Sequence, residues 1–107
     1  IGGLNEFESQ HTRLVTMGPQ RVSPLTIPKL MLNAGGSNLS IRFGLRGVNY
    51  SIAAACASAT NAMGNAYQVI QNGGADLIVT GGSEAAVTPM AGAPRINISR
   101  MAMTIWR

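Results

Sequence analysis

The chain has 107 residues, of which 46% are hydrophobic and only 11% are charged, and its formal net charge is +4. This length suits a single domain, and the charged fraction is less than half of the roughly 25% that is typical of globular proteins. We therefore expect much of the surface to face other protein, in a larger protein or in an oligomer. Three arginines near the C-terminus account for most of the positive charge, which argues against nucleic acid as a partner.

The cysteine and histidine content excludes several kinds of site. The single cysteine, Cys56, cannot form a disulfide within the chain, and the single histidine, His11, cannot build a metal cluster alone. No stretch has the length and hydropathy of a membrane span, and no signal-peptide pattern occurs. We predict no metal, no cofactor, no membrane partner and a cytoplasmic location.

The N-terminal part of the sequence predicts two helices. The first begins at Asn5, where Glu8 completes a pattern resembling a capping box, and Gly18-Pro19 ends it. The second runs from about residue 27 to residue 43, and Gly44 is its predicted C-cap. Gly35-Gly36 lies in the middle of this second helix, where we expect close packing against another backbone rather than a ligand.

The central part of the sequence predicts a strand, a helix and a second strand. Residues 48–55 form an apolar run, residues 57–72 have a helical apolar period, and residues 75–80 form a second apolar run closed by Gly81-Gly82. This order predicts a right-handed βαβ unit of a parallel sheet. No structure is assigned to residues 94–107.

Cys56 lies where the first predicted strand meets the helix. The N–H groups and the dipole at a helix N-terminus favour thiolate over thiol, and a thiolate suits acyl transfer. The alternative is a small buried core residue, because free cysteine is among the most buried residue types. Position alone leaves both interpretations open. No Gly-x-Ser-x-Gly elbow, Cys-x-x-Cys pair or phosphate-binding loop is present.

Several motifs occur in a fixed order along residues 1–93. They are Gly44-Leu45-Arg46-Gly47, the segment from Ile52 to Ala59 around Cys56, Gly73-Gly74-Ala75-Asp76, and Gly81-Gly82-Ser83-Glu84-Ala85. Together they resemble the β-ketoacyl-acyl carrier protein synthases, and among these the type II elongating condensing enzymes of bacterial fatty acid synthesis. The resemblance implies an α/β, thiolase-like fold, of which residues 1–93 would be part of the N-terminal half, with the βαβ unit around the cysteine. We interpret residues 94–107 as a non-family tail, as a shifted reading frame or a truncated gene near Ala93 would produce.

The resemblance also implies roles for individual residues. Cys56 would accept the acyl group from a carrier-protein thioester, and its backbone N–H would donate to the oxyanion. Ile1, Thr26 and Ala55 would line the acyl-chain pocket, and Arg21 would lie near the contact with the acidic acyl carrier protein. The implied partners are acyl carrier protein, acyl and malonyl thioesters, and a second copy of the full-length parent, which would pair through the strand at 48–55 in a homodimer.

The sequence departs from the family pattern in its catalytic bases. The family's two histidines, its lysine and its second oxyanion donor belong to a half that this sequence does not contain, and His11 matches neither histidine. We therefore expect a fragment of a 3-oxoacyl-[acyl-carrier-protein] synthase, an acyltransferase that catalyses decarboxylative Claisen condensation, and we expect the fragment to be incomplete for condensation. The alternatives are a type II polyketide ketosynthase, and a catalytically dead remnant or oligomerisation module.

Overall fold

The computed structural model describes residues 1–91 and the backbone of residues 102–106. It contains four α-helices, one 3-10 turn and two strands within these residues. In chain order they are α1 (Leu4–Met17), the 3-10 turn (Pro19–Arg21), α2 (Thr26–Leu30), α3 (Ala34–Phe43), α4 (Ser58–Gln71), β1 (Ile78–Gly82) and β2 (Ala102–Trp106). No helix in the described part of the chain is both long enough and apolar enough to cross a membrane.

Helix α1 starts one residue earlier than predicted and ends where predicted. Its N-cap is Gly3, which has no side chain to accept a backbone hydrogen bond. Asn5 lies inside the helix rather than at its N-cap, and the expected capping box is therefore wrong. The Glu8 carboxylate is engaged elsewhere, because it accepts hydrogen bonds from the Thr88 hydroxyl and from the Met90 N–H. Gly18 ends the helix with a φ of 83°, a conformation that glycine adopts without steric cost.

The predicted second helix is two shorter helices. The chain leaves α2 at Met31, which has an extended conformation, and re-enters a helix at Ala34. The sequence supports this break because asparagine and glycine, both poor helix formers, occupy positions 33, 35 and 36. The C-cap prediction is confirmed, since Gly44 ends α3 in the left-handed conformation with a φ of 65°.

The two glycines at the start of α3 do not meet another backbone. A β-carbon on Gly36 would lie 2.9 Å from the side-chain Oδ1 of Asn49, whereas a β-carbon on Gly35 would meet nothing within 4 Å. The predicted backbone-to-backbone packing at Gly35-Gly36 is therefore wrong. A side chain from the segment after α3 fills the space beside Gly36 instead.

The segment at 48–55 forms no strand among the described residues. It follows α3, where Asn49 Nδ2 donates to Ser40 Oγ at 2.7 Å and Ser51 Oγ donates to Leu32 O at 3.2 Å. A strand needs a neighbour that satisfies its backbone groups, and no described strand lies beside this segment. The predicted parallel βαβ unit is therefore not confirmed.

The helix predicted at 57–72 is confirmed as α4, and β1 follows it. Gly73, with a φ of 70°, turns the chain out of the helix, and β1 then includes both Gly81 and Gly82. Helix α4 packs on β1 so closely that a β-carbon on Gly82 would lie 2.8 Å from the β-carbon of Ala59. Ala66 of α4 is the one buried apolar residue in the described part of the chain.

Strand β1 pairs with β2 in an antiparallel arrangement. The register aligns Ile78 with Trp106 and Gly82 with Ala102. The strand at 102–106 was not predicted from the sequence, because its partner lies about twenty residues away and the segment has no clear period of its own. The predicted start of the tail near Ala93 lies outside the described residues.

The elements form two groups that are joined by a few polar contacts. Helix α1 packs on the 3-10 turn and on α2, which contacts α3, while α4 packs on β1 and β2. Glu8 connects α1 to the segment after β1 through Thr88 and Met90, and the amino group of Ile1 donates to Glu84 Oε2 at 2.9 Å.

Candidate active site

Cys56 lies in a tight turn immediately before α4. The Ala57 N–H donates to the Ala54 carbonyl at 2.9 Å, which closes a four-residue turn with Ala55 and Cys56 at its centre. Ala55 has a φ of 46° and is the one described non-glycine residue with a positive φ. A positive φ at the first central position alone is typical of a type II′ turn, where glycine is normal. For alanine this conformation costs roughly 1–2 kcal/mol, so the backbone next to the cysteine is strained.

The Cys56 thiol is exposed. The alternative of a buried core cysteine is therefore wrong for this structure. Ala57 is the N-cap of α4, so Cys56 lies directly ahead of the first turn of this helix. Within residues 1–91, no acceptor takes the Cys56 N–H, which leaves this donor free to meet an oxyanion.

The Ser58 hydroxyl group forms two hydrogen bonds to the turn. Its Oγ accepts the Ala54 N–H at 2.8 Å and donates to the Ala55 carbonyl at 2.7 Å. The Ser58 N–H donates to the same carbonyl at 3.2 Å. Ser58 was not predicted as a site residue from the sequence. The available signal was that serine beside a helix start commonly forms hydrogen bonds to nearby backbone groups.

The residues predicted to line the acyl pocket lie in different parts of the structure. Ala55 is next to Cys56 in the turn and is exposed. Thr26 is the first residue of α2, half-buried, and its Oγ1 donates to the Ser23 carbonyl at 2.6 Å. Ile1 is 75% exposed at the start of the chain. Of the three residues, Ala55 is the one that is adjacent to Cys56 in the chain.

The residue predicted to meet the carrier protein, Arg21, is exposed at the end of the 3-10 turn. Helix α4 contacts β1 and β2 but none of the other described helices or the 3-10 turn. The structure therefore does not bring Arg21 or Thr26 against the helix that follows Cys56. His11 is exposed on α1, where its ring stacks on Phe7 with 6.5 Å between ring centroids. Across the described ranges, no three metal-binding side chains lie close enough together to hold an ion.

The comparison with protein families gives a match over nearly the whole chain. The model for the N-terminal domain of beta-ketoacyl synthase matches residues 1–104. The chain therefore belongs to the beta-ketoacyl synthase family, as its motifs predicted. A ketoacyl-synthase domain implies a thiolase-like fold, of which the described residues show helices and one two-stranded sheet.

Individual relatives indicate which members of the family the chain resembles. The chain is 43% identical over 91 residues to 3-oxoacyl-[acyl-carrier-protein] synthase 2 of Staphylococcus aureus, and 42% identical over 91 residues to the protein of the same name from Synechocystis sp.. The aligned part covers 85% of the chain in both cases, but 23% of the first relative and 22% of the second. The chain thus spans less than a quarter of the length of these relatives.

Proposed function

We propose that the chain carries the acyl-accepting cysteine of a 3-oxoacyl-[acyl-carrier-protein] synthase, an acyltransferase of fatty acid biosynthesis. The observation that carries the proposal is the exposed thiol of Cys56 in a strained turn at the start of α4. Family membership and the names of the relatives support the same chemistry. The substrates would be acyl and malonyl thioesters of acyl carrier protein.

The first step would be transfer of an acyl group to Cys56. The thiolate sulfur attacks the carbonyl carbon of the acyl thioester, and a tetrahedral intermediate with a negative oxygen forms. The Cys56 N–H would donate to that oxygen, which stabilises the charge as it develops. The intermediate then breaks its bond to the carrier sulfur, which leaves as a thiolate and takes up a proton, and the acyl group remains on Cys56.

The second step would be condensation with a malonyl thioester. Loss of CO₂ from the malonyl group gives a carbanion, which attacks the acyl carbonyl and releases the Cys56 thiolate. The carbanion needs polarising groups beside its carbonyl oxygen. His11, the one histidine of the sequence, lies on α1, which does not contact α4 among the described residues. We propose that this chain by itself carries out acyl transfer but not condensation.

The other predicted site residues are part of the proposal. Ala55 lies beside Cys56, which supports a place for it in the acyl-chain pocket, and Ile1 and Thr26 are proposed to line the same pocket. The exposed guanidinium of Arg21 suits an acidic carrier protein. The 3-10 turn that ends at Arg21 makes no contact with α4, the helix that follows the Cys56 turn.

Association with further protein is the second candidate role. In the segment at 48–55, Val48 is 85% exposed and Tyr50 is 55% exposed, although both residue types favour strands. We propose that this segment becomes a strand when a partner strand from a second copy of the parent pairs with it. Under this proposal its irregular conformation reflects a missing hydrogen-bonding partner.

Acylation of the chain tests the proposed function directly. The chain is incubated with an acyl thioester of acyl carrier protein, and intact mass spectrometry is expected to show one added acyl group that is absent in Cys56→Ala. With malonyl-carrier thioester added, no β-ketoacyl product is expected. Failure of the unaltered chain to gain an acyl group, or equal labelling of Cys56→Ala, would contradict the first step, and a condensation product would contradict the restriction to acyl transfer.

A further inference from the structure

The conformation of the Cys56 turn depends on a hydroxyl group outside it. Ala55 has a φ of 46°, which alanine adopts only at a cost, so something must hold the Ala54–Ala57 turn closed. The backbone supplies two bonds, one from the Ala57 N–H to the Ala54 carbonyl at 2.9 Å and one from the Ser58 N–H to the Ala55 carbonyl at 3.2 Å. The remaining side-chain contact to this turn comes from Ser58.

The two hydrogen bonds of the Ser58 hydroxyl are made to backbone groups on either side of the strained residue, Ala55. The Ala54 N–H lies on one side of Ala55 and the Ala55 carbonyl lies on the other, and the same Oγ bonds to both, at 2.8 and 2.7 Å. A relaxation of Ala55 to a negative φ would change the relative orientation of these two backbone groups. It would therefore break at least one of the two bonds.

The peptide that joins Ala55 to Cys56 sets the direction of the cysteine. Because the Ala55 carbonyl and the Cys56 N–H belong to one planar peptide unit, a bond that fixes the carbonyl also fixes the N–H. The hydroxyl thus fixes the donor proposed for the oxyanion, and it fixes where the Cys56 side chain leaves the backbone. Ser58 acts on the thiol through the backbone and without touching the sulfur.

We propose that Ser58 is a positioning residue, whose hydroxyl holds the strained Ala55–Cys56 peptide and so fixes the direction in which the Cys56 side chain leaves the backbone. The proposal rests on the assignment of Cys56 as the acyl-accepting nucleophile. It goes further by naming the group that maintains the geometry of that nucleophile. The hydroxyl is required and the size of the side chain is not, so threonine should replace serine and valine should not.

The test compares two isosteric variants of the 107-residue chain. Ser58→Thr keeps a hydroxyl and Ser58→Val removes it, while both side chains are β-branched and of similar volume. Thr60→Val is the matched control, because it removes a hydroxyl from the first turn of α4 that makes no bond to the Cys56 turn. The measured quantity is the rate of alkylation by iodoacetamide in buffer, divided by the rate in denaturant for the same variant.

The native-to-denatured ratio is expected to be above one in the unaltered chain and to remain so in Ser58→Thr and Thr60→Val. It should fall about five-fold or more in Ser58→Val, because the substitution removes both hydrogen bonds of the hydroxyl and loss of each bond of ordinary strength changes a population about five-fold. Amide exchange at Ala54, whose N–H donates to Ser58 Oγ, should speed up in Ser58→Val alone.

Several results would overturn the proposal. They are equal ratios for the threonine and valine variants, an equal fall in Thr60→Val, and a ratio of one in the unaltered chain. Loss of the far-ultraviolet circular dichroism of α4 in Ser58→Val but not in Ser58→Thr would also overturn it, since the hydroxyl would then support the helix rather than the thiol. Iodoacetamide needs neither carrier protein nor acyl pocket, so failure here is distinguishable from failure of the acylation experiment.

Discussion

Replacement of Gly82 by alanine is expected to force β1 away from α4. The new β-carbon would lie 2.8 Å from the β-carbon of Ala59 and 3.4 Å from its Cα, whereas ordinary contacts are 3.4–4 Å. The methyl group of Ala59 cannot rotate out of the way, so the strand or the helix must move by roughly 1 Å in a close-packed contact. Overpacking of this kind costs about 1–3 kcal/mol in the free energy of unfolding.

Thermal unfolding, followed by circular dichroism at 222 nm, measures this cost. Each kcal/mol lowers the unfolding temperature of a domain of this size by about 4–8 °C. Gly64→Ala is the matched control, because a β-carbon there meets nothing within 4 Å and lies inside α4. That control should raise stability by up to about 1 kcal/mol through helix propensity. A Gly82→Ala chain that unfolds at the same temperature as the unaltered chain, or above it, would refute the packing argument.

Two further substitutions test the polar link and the cap. Glu8→Ala should lower the free energy of unfolding by roughly 1–3 kcal/mol, because it leaves the buried Thr88 hydroxyl without its acceptor. It should also speed amide exchange at Met90, whose N–H donates to Glu8. Unchanged exchange at Met90 would contradict this polar link. Gly44→Ala should lower the unfolding temperature, at a cost of roughly 1–2 kcal/mol for alanine at a φ of 65°. Gly47→Ala, in open space, should be nearly neutral, and equal effects of the two would contradict the cap.

The features that the sequence predicted correctly have local causes. The apolar period of α4 and the left-handed glycines at 18 and 44 act within a few residues of themselves, so a short window contains the whole signal. The break between α2 and α3 was not predicted, because Asn33 and the glycines after it are weak signals inside a longer apolar pattern. The capping box was wrong for a different reason. The Glu8 carboxylate accepts hydrogen bonds from residues that lie eighty or more positions away, and no short window of sequence contains that contact.

The same contrast between local and long-range causes applies to the sheet and to the candidate site. Pairing of β1 with β2 depends on two segments that are distant in sequence, and neither segment alone specifies its partner or its direction. The position of Cys56 directly before a helix followed from the local pattern, whereas its exposure did not, because the position alone left a buried core cysteine open. The positive φ of Ala55 did not, because alanine normally has a negative φ and its presence predicts no strain. The Ser58 bonds become visible only once that turn is known.

The antiparallel pairing of β1 has a consequence for growth of the sheet. A strand has two hydrogen-bonding edges, and the backbone of Ala102–Trp106 occupies one edge of Ile78–Gly82. Any strand that pairs with β1 on that side must first displace residues 102–106. This C-terminal segment therefore competes with other strands for that edge of β1. Among the described residues no strand lies on the opposite edge of β1, so a strand that pairs with β1 without displacing residues 102–106 must join at that opposite edge.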